Sequence, residues 1–264
     1  MQTDNTMAVT NAMLMEAVLL AGRIILENGG ETYRAEDTVE RMGRAFGCQR
    51  VDVFAVPSGL FITLAFQDGE EKTSVQRIRR RSIHLKKVDD ANQVSRGVAS
   101  GDISPLEALE KLKCIAAWED TKGQSIMPWA AALSSASFAI MFGGGLTDGA
   151  VAFVCAAVTQ GLIRLIKRYS LHYIVASLMG GAICALIPLI FNRLTGLGAV
   201  DAMVAGALMP LLPGLAMTNA VQDTMRGDML SGLTHGAQAL LVGALVAGGA
   251  LAAQSLFLLM EGGI

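Results

Sequence analysis

Charge is what the second half of this 264-residue chain lacks. Residues 128–264 carry five Lys and Arg and five Asp and Glu, out of 21 and 23 in the whole sequence. The chain is 17% charged, where a soluble domain carries about 25%. Basic excess is lacking too. The formal net charge is −2, which excludes a strongly basic nucleic-acid binder. The four cysteines, Cys48, Cys114, Cys155 and Cys184, show no metal-ligand spacing and imply no disulfide framework. Cys155 and Cys184 fall in apolar stretches and read as small packing residues. The histidines His84, His172 and His235 are too far apart in sequence for a metal site. There is no GxGxxG, P-loop, HExxH, Ser-His-Asp or paired-carboxylate pattern, so neither an enzyme nor a cofactor is expected. Met1 to Thr10 is polar with no basic n-region, so no cleavable signal peptide is expected.

What is present divides in two. Residues 1–122 read as a cytosolic α+β domain. Leu14, Ala17, Val18, Ala21, Ile24 and Ile25 recur at helical spacing, and Asn28-Gly29-Gly30 stops that helix. A charged helix follows over about 32–46. The period then changes to two, predicting strands over 50–56, 60–66 and about 72–79, with turns at Pro57-Ser58-Gly59 and Gln67-Asp68-Gly69. Helices are predicted over 87–100 and 104–118. The second opens with Ser104-Pro105-Leu106-Glu107, a Ser N-cap with Pro at the first helical position and Glu at the third. The basic run Arg77, Arg79, Arg80, Arg81, Lys86 and Lys87 reads as a solvated edge or a contact with anionic lipid heads, ahead of a nucleotide site.

Residues 123–264 read as an all-α membrane bundle of about five transmembrane helices, 127–144, 149–166, 172–191, 199–218 and 230–260, each near the twenty apolar residues a bilayer needs. The expected location is the bacterial inner membrane, with the lipid bilayer as a partner. Arg164, Lys167 and Arg168 between the second and third spans place that loop inside. The amino terminus is then cytoplasmic and the carboxy terminus outside. Gly143-Gly144-Gly145, Gly180-Gly181 and Gly248-Gly249 suit close helix packing.

One stretch breaks the apolar pattern. From Met209 to Asp228, Pro210, Pro213 and Gly214 interrupt a helix, and Thr218, Asn219, Asp223, Arg226 and Asp228 follow, with Asp201 upstream. A carboxylate within a span costs about 2.5–3.5 kcal/mol on insertion scales, and broken helices carrying such groups form substrate or ion paths. Asn219 and Asp223, four apart, share one helix face. A poorly hydrated Asp can take up a proton near neutral pH, which suits proton-coupled export. The bland alternative places Asp223, Arg226 and Asp228 in a loop at the lipid headgroups, and composition does not choose between the two. His235, near Ser231 and Thr234 in the fifth span, reads as a packed histidine before a proton relay. The candidate substrate or ion path is Pro213, Gly214, Thr218, Asn219, Asp223, Arg226, Asp228 and His235.

The motifs Glu27-Asn28-Gly29-Gly30-Glu31-Thr32-Tyr33-Arg34-Ala35-Glu36, Val56-Pro57-Ser58-Gly59, Phe142-Gly143-Gly144-Gly145 and Pro213-Gly214-Leu215-Ala216-Met217-Thr218-Asn219-Ala220, with Asp223, Gly227-Asp228 and Ser231-Gly232 after them, resemble the threonine/serine exporter family over nearly the whole chain. The resemblance is to its larger, amino-terminal component in the split, two-subunit form, of which one bacterial pair is associated with succinate export. It implies an exporter of small polar metabolites, succinate or a related dicarboxylate first and threonine and serine second. It also implies a small membrane subunit of four or five transmembrane helices as partner, with a homo-oligomer as a further option. Arg226, the basic residue nearest the broken helix, would serve a dianion. The rival class is a membrane-anchored sensor or scaffold that does not transport.

Overall fold

The structure, a computed structural model, describes residues 2–79, 82–119, 121–168 and 173–262. Arg80, Arg81 and His172 lie outside the described residues. The described chain forms ten α-helices and one three-stranded sheet, grouped into two compact units. The first unit is Met1–Glu119 with Leu215–Gly236, and the second is Asp120–Gly214 with Ala237–Ile264.

In the first unit, α1 (Gln2–Glu27) buries the stripe Leu14, Ala17, Val18, Ala21, Ile24 and Ile25. It ends where Gly29 takes φ 87°, a left-handed C-cap conformation that favours glycine. Helix α2 (Thr32–Ala45) buries Ala35, Val39 and Met42. Strands β1 (Arg50–Val56), β2 (Gly59–Ala65) and β3 (Glu71–Arg77) pair antiparallel in the order β1-β2-β3. One face, with Ala55, Leu60, Ile62 and Leu64, is buried; the other exposes Phe54, Phe61 and Val75. Helix α2 packs on β1 at Gly43, where an added Cβ would meet Val51 Cγ2 at 2.7 Å. Helices α3 (Leu85–Ala99) and α4 (Pro105–Ala117) complete the layer. Ser104 caps α4 as its sequence predicts, accepting from Glu107 N at 3.3 Å. Glu107 turns to Lys111 instead of closing a reciprocal capping box.

The second unit is helical: α5 (Thr121–Met141), α6 (Leu146–Arg168), α7 (Tyr173–Thr195), α8 (Val200–Leu208) and the later part of α10 (Met229–Gly262). Small residues let these helices touch backbone to backbone. A Cβ on Gly181 of α7 would run into the Val246 carbonyl of α10, and one on Gly249 of α10 into the Leu178 carbonyl of α7. Gly206 of α8 meets Ala139 and the Ser135 carbonyl of α5 in the same way, at 2.6 and 2.7 Å. Cys155 and Cys184 are fully buried with Ala207, and the Cys184 thiol donates to the Ala207 carbonyl at 3.4 Å. Asp148 is 4% exposed at the start of α6. Its Oδ2 accepts from Gly145 N at 2.7 Å and its Oδ1 from Ala199 N, the N-cap residue of α8, at 3.1 Å.

This architecture corrects the expected one, an α+β cytosolic domain followed by a bundle of about five transmembrane helices. Helix dominates, with only one small sheet. The sheet-bearing unit does not stand apart as an amino-terminal domain, because Leu215–Gly236 belongs to it. Three helices among the described residues are long and apolar enough to cross a membrane: Leu146–Ile166, Tyr173–Thr195 and Met229–Met260. A fourth is counted if the bent pair Val200–Leu211 and Gly214–Met225 is one span. The apolar stretch Ser125–Met141 is too short to qualify. The expected span over 199–218 divides because Pro210 opens a 3-10 turn (Met209–Leu211) and Pro213 follows it. Each proline removes an amide donor from the helical ladder.

Candidate functional site

Helix α9 (Gly214–Met225) has inverted amphipathicity. Its buried residues are Asn219 and Asp223, while Met217, Val221 and Met225 are exposed. The i, i+4 spacing puts the two polar side chains on one face, as the sequence implies. A helix in water shows the reverse pattern. This one presents its apolar side outward and keeps its polar side for contacts inside the first unit.

Those contacts are specific. Asn219 Nδ2 donates to the Gly29 carbonyl at 3.2 Å. The segment Asn28-Gly29 is itself held: Asn28 Nδ2 donates to the Ile24 carbonyl at 2.7 Å, and His84 N donates to the Asn28 carbonyl at 3.0 Å. Asp223 is 0% exposed, and its Oδ2 lies 2.9 Å from His235 Nδ1 on α10. Its Oδ1 is buried without a hydrogen-bond partner, as are Ser231 Oγ, Gln222 Oε1 and Thr32 Oγ1. Ser231 and His235 are four apart and share a face of α10. Gly232 lets α10 come this close, since a Cβ there would strike Thr224 Oγ1 of α9 and lie 3.0 Å from the Ala220 carbonyl.

The turn between α9 and α10 follows from its sequence. Gly227 takes φ 90° and Asp228 N donates to the Asp223 carbonyl at 2.9 Å, a Schellman-type stop. Asp228 then caps α10, its Oδ1 accepting from Ser231 N at 3.2 Å. Arg226 projects from this turn, and its Cζ lies 3.6 Å from the centroid of the Tyr33 ring on α2. Glu36, one turn further along α2, accepts from Ala55 N at 2.8 Å. Burial pushes its carboxyl above the ordinary value, and the charges of Asp228, Glu40 and Asp223 push it the same way.

The structure thus gathers Asn219, Asp223, Arg226, Asp228 and His235 of the candidate path in the first unit. Thr218 is on the exposed side of α9. Pro213 and Gly214 mark the helix break, and Asp201 sits exposed in the first turn of α8. Tyr33 and Glu36 were not singled out as site residues; their only signal was membership of the Glu31-Thr32-Tyr33-Arg34-Ala35-Glu36 motif. Among the described residues, no three or more His, Cys, Asp or Glu side chains are grouped to hold a metal ion.

Residues 16–257 match the family described as "Putative threonine/serine exporter". The chain belongs to this family. It is 26% identical over 253 residues to the "Probable succinate transporter subunit YjjP" of Escherichia coli, covering 92% of each chain. It is 25% identical over 249 residues to the protein of the same name from Klebsiella aerogenes, again covering 92% of each. A "Probable threonine/serine exporter" from Mycobacterium tuberculosis is 23% identical over 244 residues, which is 90% of this chain and 45% of that protein. No solved structure matches the chain significantly. The exporter family, together with the long apolar helices, makes this a membrane protein of the transport class.

Proposed function

We propose that the chain is one subunit of an inner-membrane exporter of small polar metabolites, driven by the proton gradient and completed by a smaller membrane protein. Succinate or a related dicarboxylate is the first substrate and threonine or serine the second. The observation that carries the reading is Asp223. A buried acceptor without a partner costs about 1–3 kcal/mol, more when charged, and packing alone gives no reason to retain it. A carboxylate bonded to a histidine on one oxygen and unpartnered on the other can accept a proton and release it again, with the His235 ring fixing its orientation. Asn219 on the same helix face and Asp228 in the turn after it supply further polar groups, Thr218 a hydroxyl on the exposed side of α9, Pro213 and Gly214 the helix break, and Arg226 the positive charge a carboxylate substrate needs. The near full-length likeness to two proteins named as succinate transporter subunits supports the dicarboxylate and the second subunit. The family description supports the hydroxy amino acids.

Efflux of labelled succinate and labelled threonine from preloaded cells tests this, with the chain alone, with its partner, and with Asp223→Asn. Partner-dependent efflux of one solute, lost in the variant, is the expected outcome. If neither solute leaves while both proteins are present in the membrane, both substrate assignments fail, and another solute or the sensor or scaffold class takes their place.

A further inference from the structure

We infer that Tyr33 positions the Arg226 guanidinium as the carboxylate-binding group of the exporter, so that α2, which is outside the apolar spans, forms part of the substrate site. The inference rests on the reading of Arg226 as the anion-binding charge. Two arginines approach the half-buried Tyr33 ring, Arg226 at 3.6 Å and Arg34 at 5.9 Å from its centroid. They differ in what their donors do. Arg34 gives Nε and Nη2 to the Glu31 carboxylate, at 2.7 and 3.4 Å. Arg226 has no carboxylate partner among the described residues, although acids stand three residues before it and two after. Neither acid pairs with it: Asp223 Oδ2 faces His235, and Asp228 Oδ1 accepts from Ser231 N.

The chemistry of the stack favours an anion. At 3.6 Å the guanidinium lies against the ring, and its five N–H bonds lie in its own plane. A face contact with an aromatic ring therefore consumes none of them. The ring holds the charge in place, and the in-plane fork that matches a carboxylate stays unspent. The exposed side chain has already lost part of its rotamer freedom, which a ligand would otherwise have to remove. The backbone beneath is fixed as well, because Gly227 at φ 90° and the Asp228 cap set the direction in which Arg226 leaves the turn.

The test uses the full chain with its partner subunit and measures how efflux saturates with internal succinate and with internal threonine. Tyr33→Leu should raise the half-saturating concentration of the transported solute about fivefold, the scale of an exposed to partly desolvated cation–π contact, with the maximal rate within about twofold. Tyr33→Phe, which keeps the ring, should behave as wild type. Arg226→Gln should raise half-saturation at least as much, and Tyr33→Leu should add nothing in its background. Raised half-saturation in Arg226→Gln with none in Tyr33→Leu overturns the inference and leaves the function standing. So does a Tyr33→Phe defect equal to that of Tyr33→Leu. Normal saturation in Arg226→Gln overturns the reading of Arg226 itself, and the inference falls with it. If Tyr33→Leu fails to accumulate in the membrane, Arg226→Lys carries the test. It keeps the charge without the flat ring contact, and wild-type saturation would refute positioning by Tyr33.

Discussion

Asp148 and Asp223 are both buried carboxylates in the sparsely charged half of the chain, 4% and 0% exposed. Asp148 has both oxygens on backbone amides, Gly145 N and Ala199 N, and fastens the start of α8 to the start of α6. Asp223 has one oxygen on a titratable ring and the other on nothing. The surroundings differ in the same sense. In the unit of Asp148, Gly181 and Gly249 bring α7 and α10 together backbone on backbone. Beside Asp223, whose own Oδ1 lacks a partner, Ser231 Oγ on the α10 face of His235 is buried and unpartnered as well. A fully bonded charge fixes a joint, whereas a half-bonded one keeps an alternative state within reach.

The largest effect should come from breaking the close-packed side. Gly249→Val puts three carbons where the Leu178 backbone already stands, so α7 or α10 must move. A loss of about 3 kcal/mol or more is expected, read as little folded protein in the membrane fraction. Gly243 and Gly248 lie on the same helix with no atom within 4 Å of a Cβ. Gly243→Ala and Gly248→Ala should accumulate normally. If they fail as Gly249→Val does, the backbone contact is not the reason.

Asp223→Asn should invert that pattern. Asn keeps the shape and an oxygen acceptor for the His235 ring while removing the charge, so the hydrogen bond survives and accumulation and thermal stability should hold. Efflux should fall about a hundredfold, the scale on which a positioned proton-transfer group acts. A variant that transports normally would reduce Asp223 to a packing group. Asp148→Ala should do the opposite. Two amides lose their acceptor at about 1 kcal/mol each, so stability should drop by about 2 kcal/mol in denaturant melts while efflux per folded molecule stays within about twofold. Equal transport defects in the two variants would erase the distinction between the carboxylates.

Much of this was legible in the sequence, and the limits have physical causes. Alternation and helical spacing locate β1 to β3, α2 to α4 and the end of α1 to within a few residues, because the buried stripe of α1 and the buried row Leu60, Ile62 and Leu64 are periodic in the chain itself; the start of α1, at Gln2 where the apolar spacing points to about Met13, is not marked by that stripe. The shared face of Asn219 and Asp223 follows from their spacing alone. The number of spans did not follow, since a hydropathy sum over 199–218 is blind to what Pro210 and Pro213 do to the amide ladder. Nor did the environment of α9. Averages do not say that Met217 and Val221 face out while Asp223 faces in. The partners Gly29 and Tyr33 lie about 190 residues away in sequence, and no local pattern pairs them with Asn219 and Arg226.

The smallest effect concerns Glu36, which lies near the same acids without belonging to a span. Burial raises its carboxyl above the ordinary 4.5; the hydrogen bond from Ala55 N opposes this, and the charges of Asp228, Glu40 and Asp223 add to it. An acid with a raised folded value keeps its proton in the folded state over a pH window where the unfolded chain has released it. Stability from this group is therefore present below pH 4.5 and lost as pH rises through the folded value. Glu36→Gln keeps an oxygen acceptor for Ala55 N and cannot ionise. At pH 7.5 it should melt about 2 °C above wild type, and near pH 4 the two should coincide. A gap that stays constant across that range would place the benefit in packing and remove the titration of Glu36 from the account. A gap that opens with pH would show that the buried Glu36 carboxyl resists ionisation in the element that also carries Tyr33.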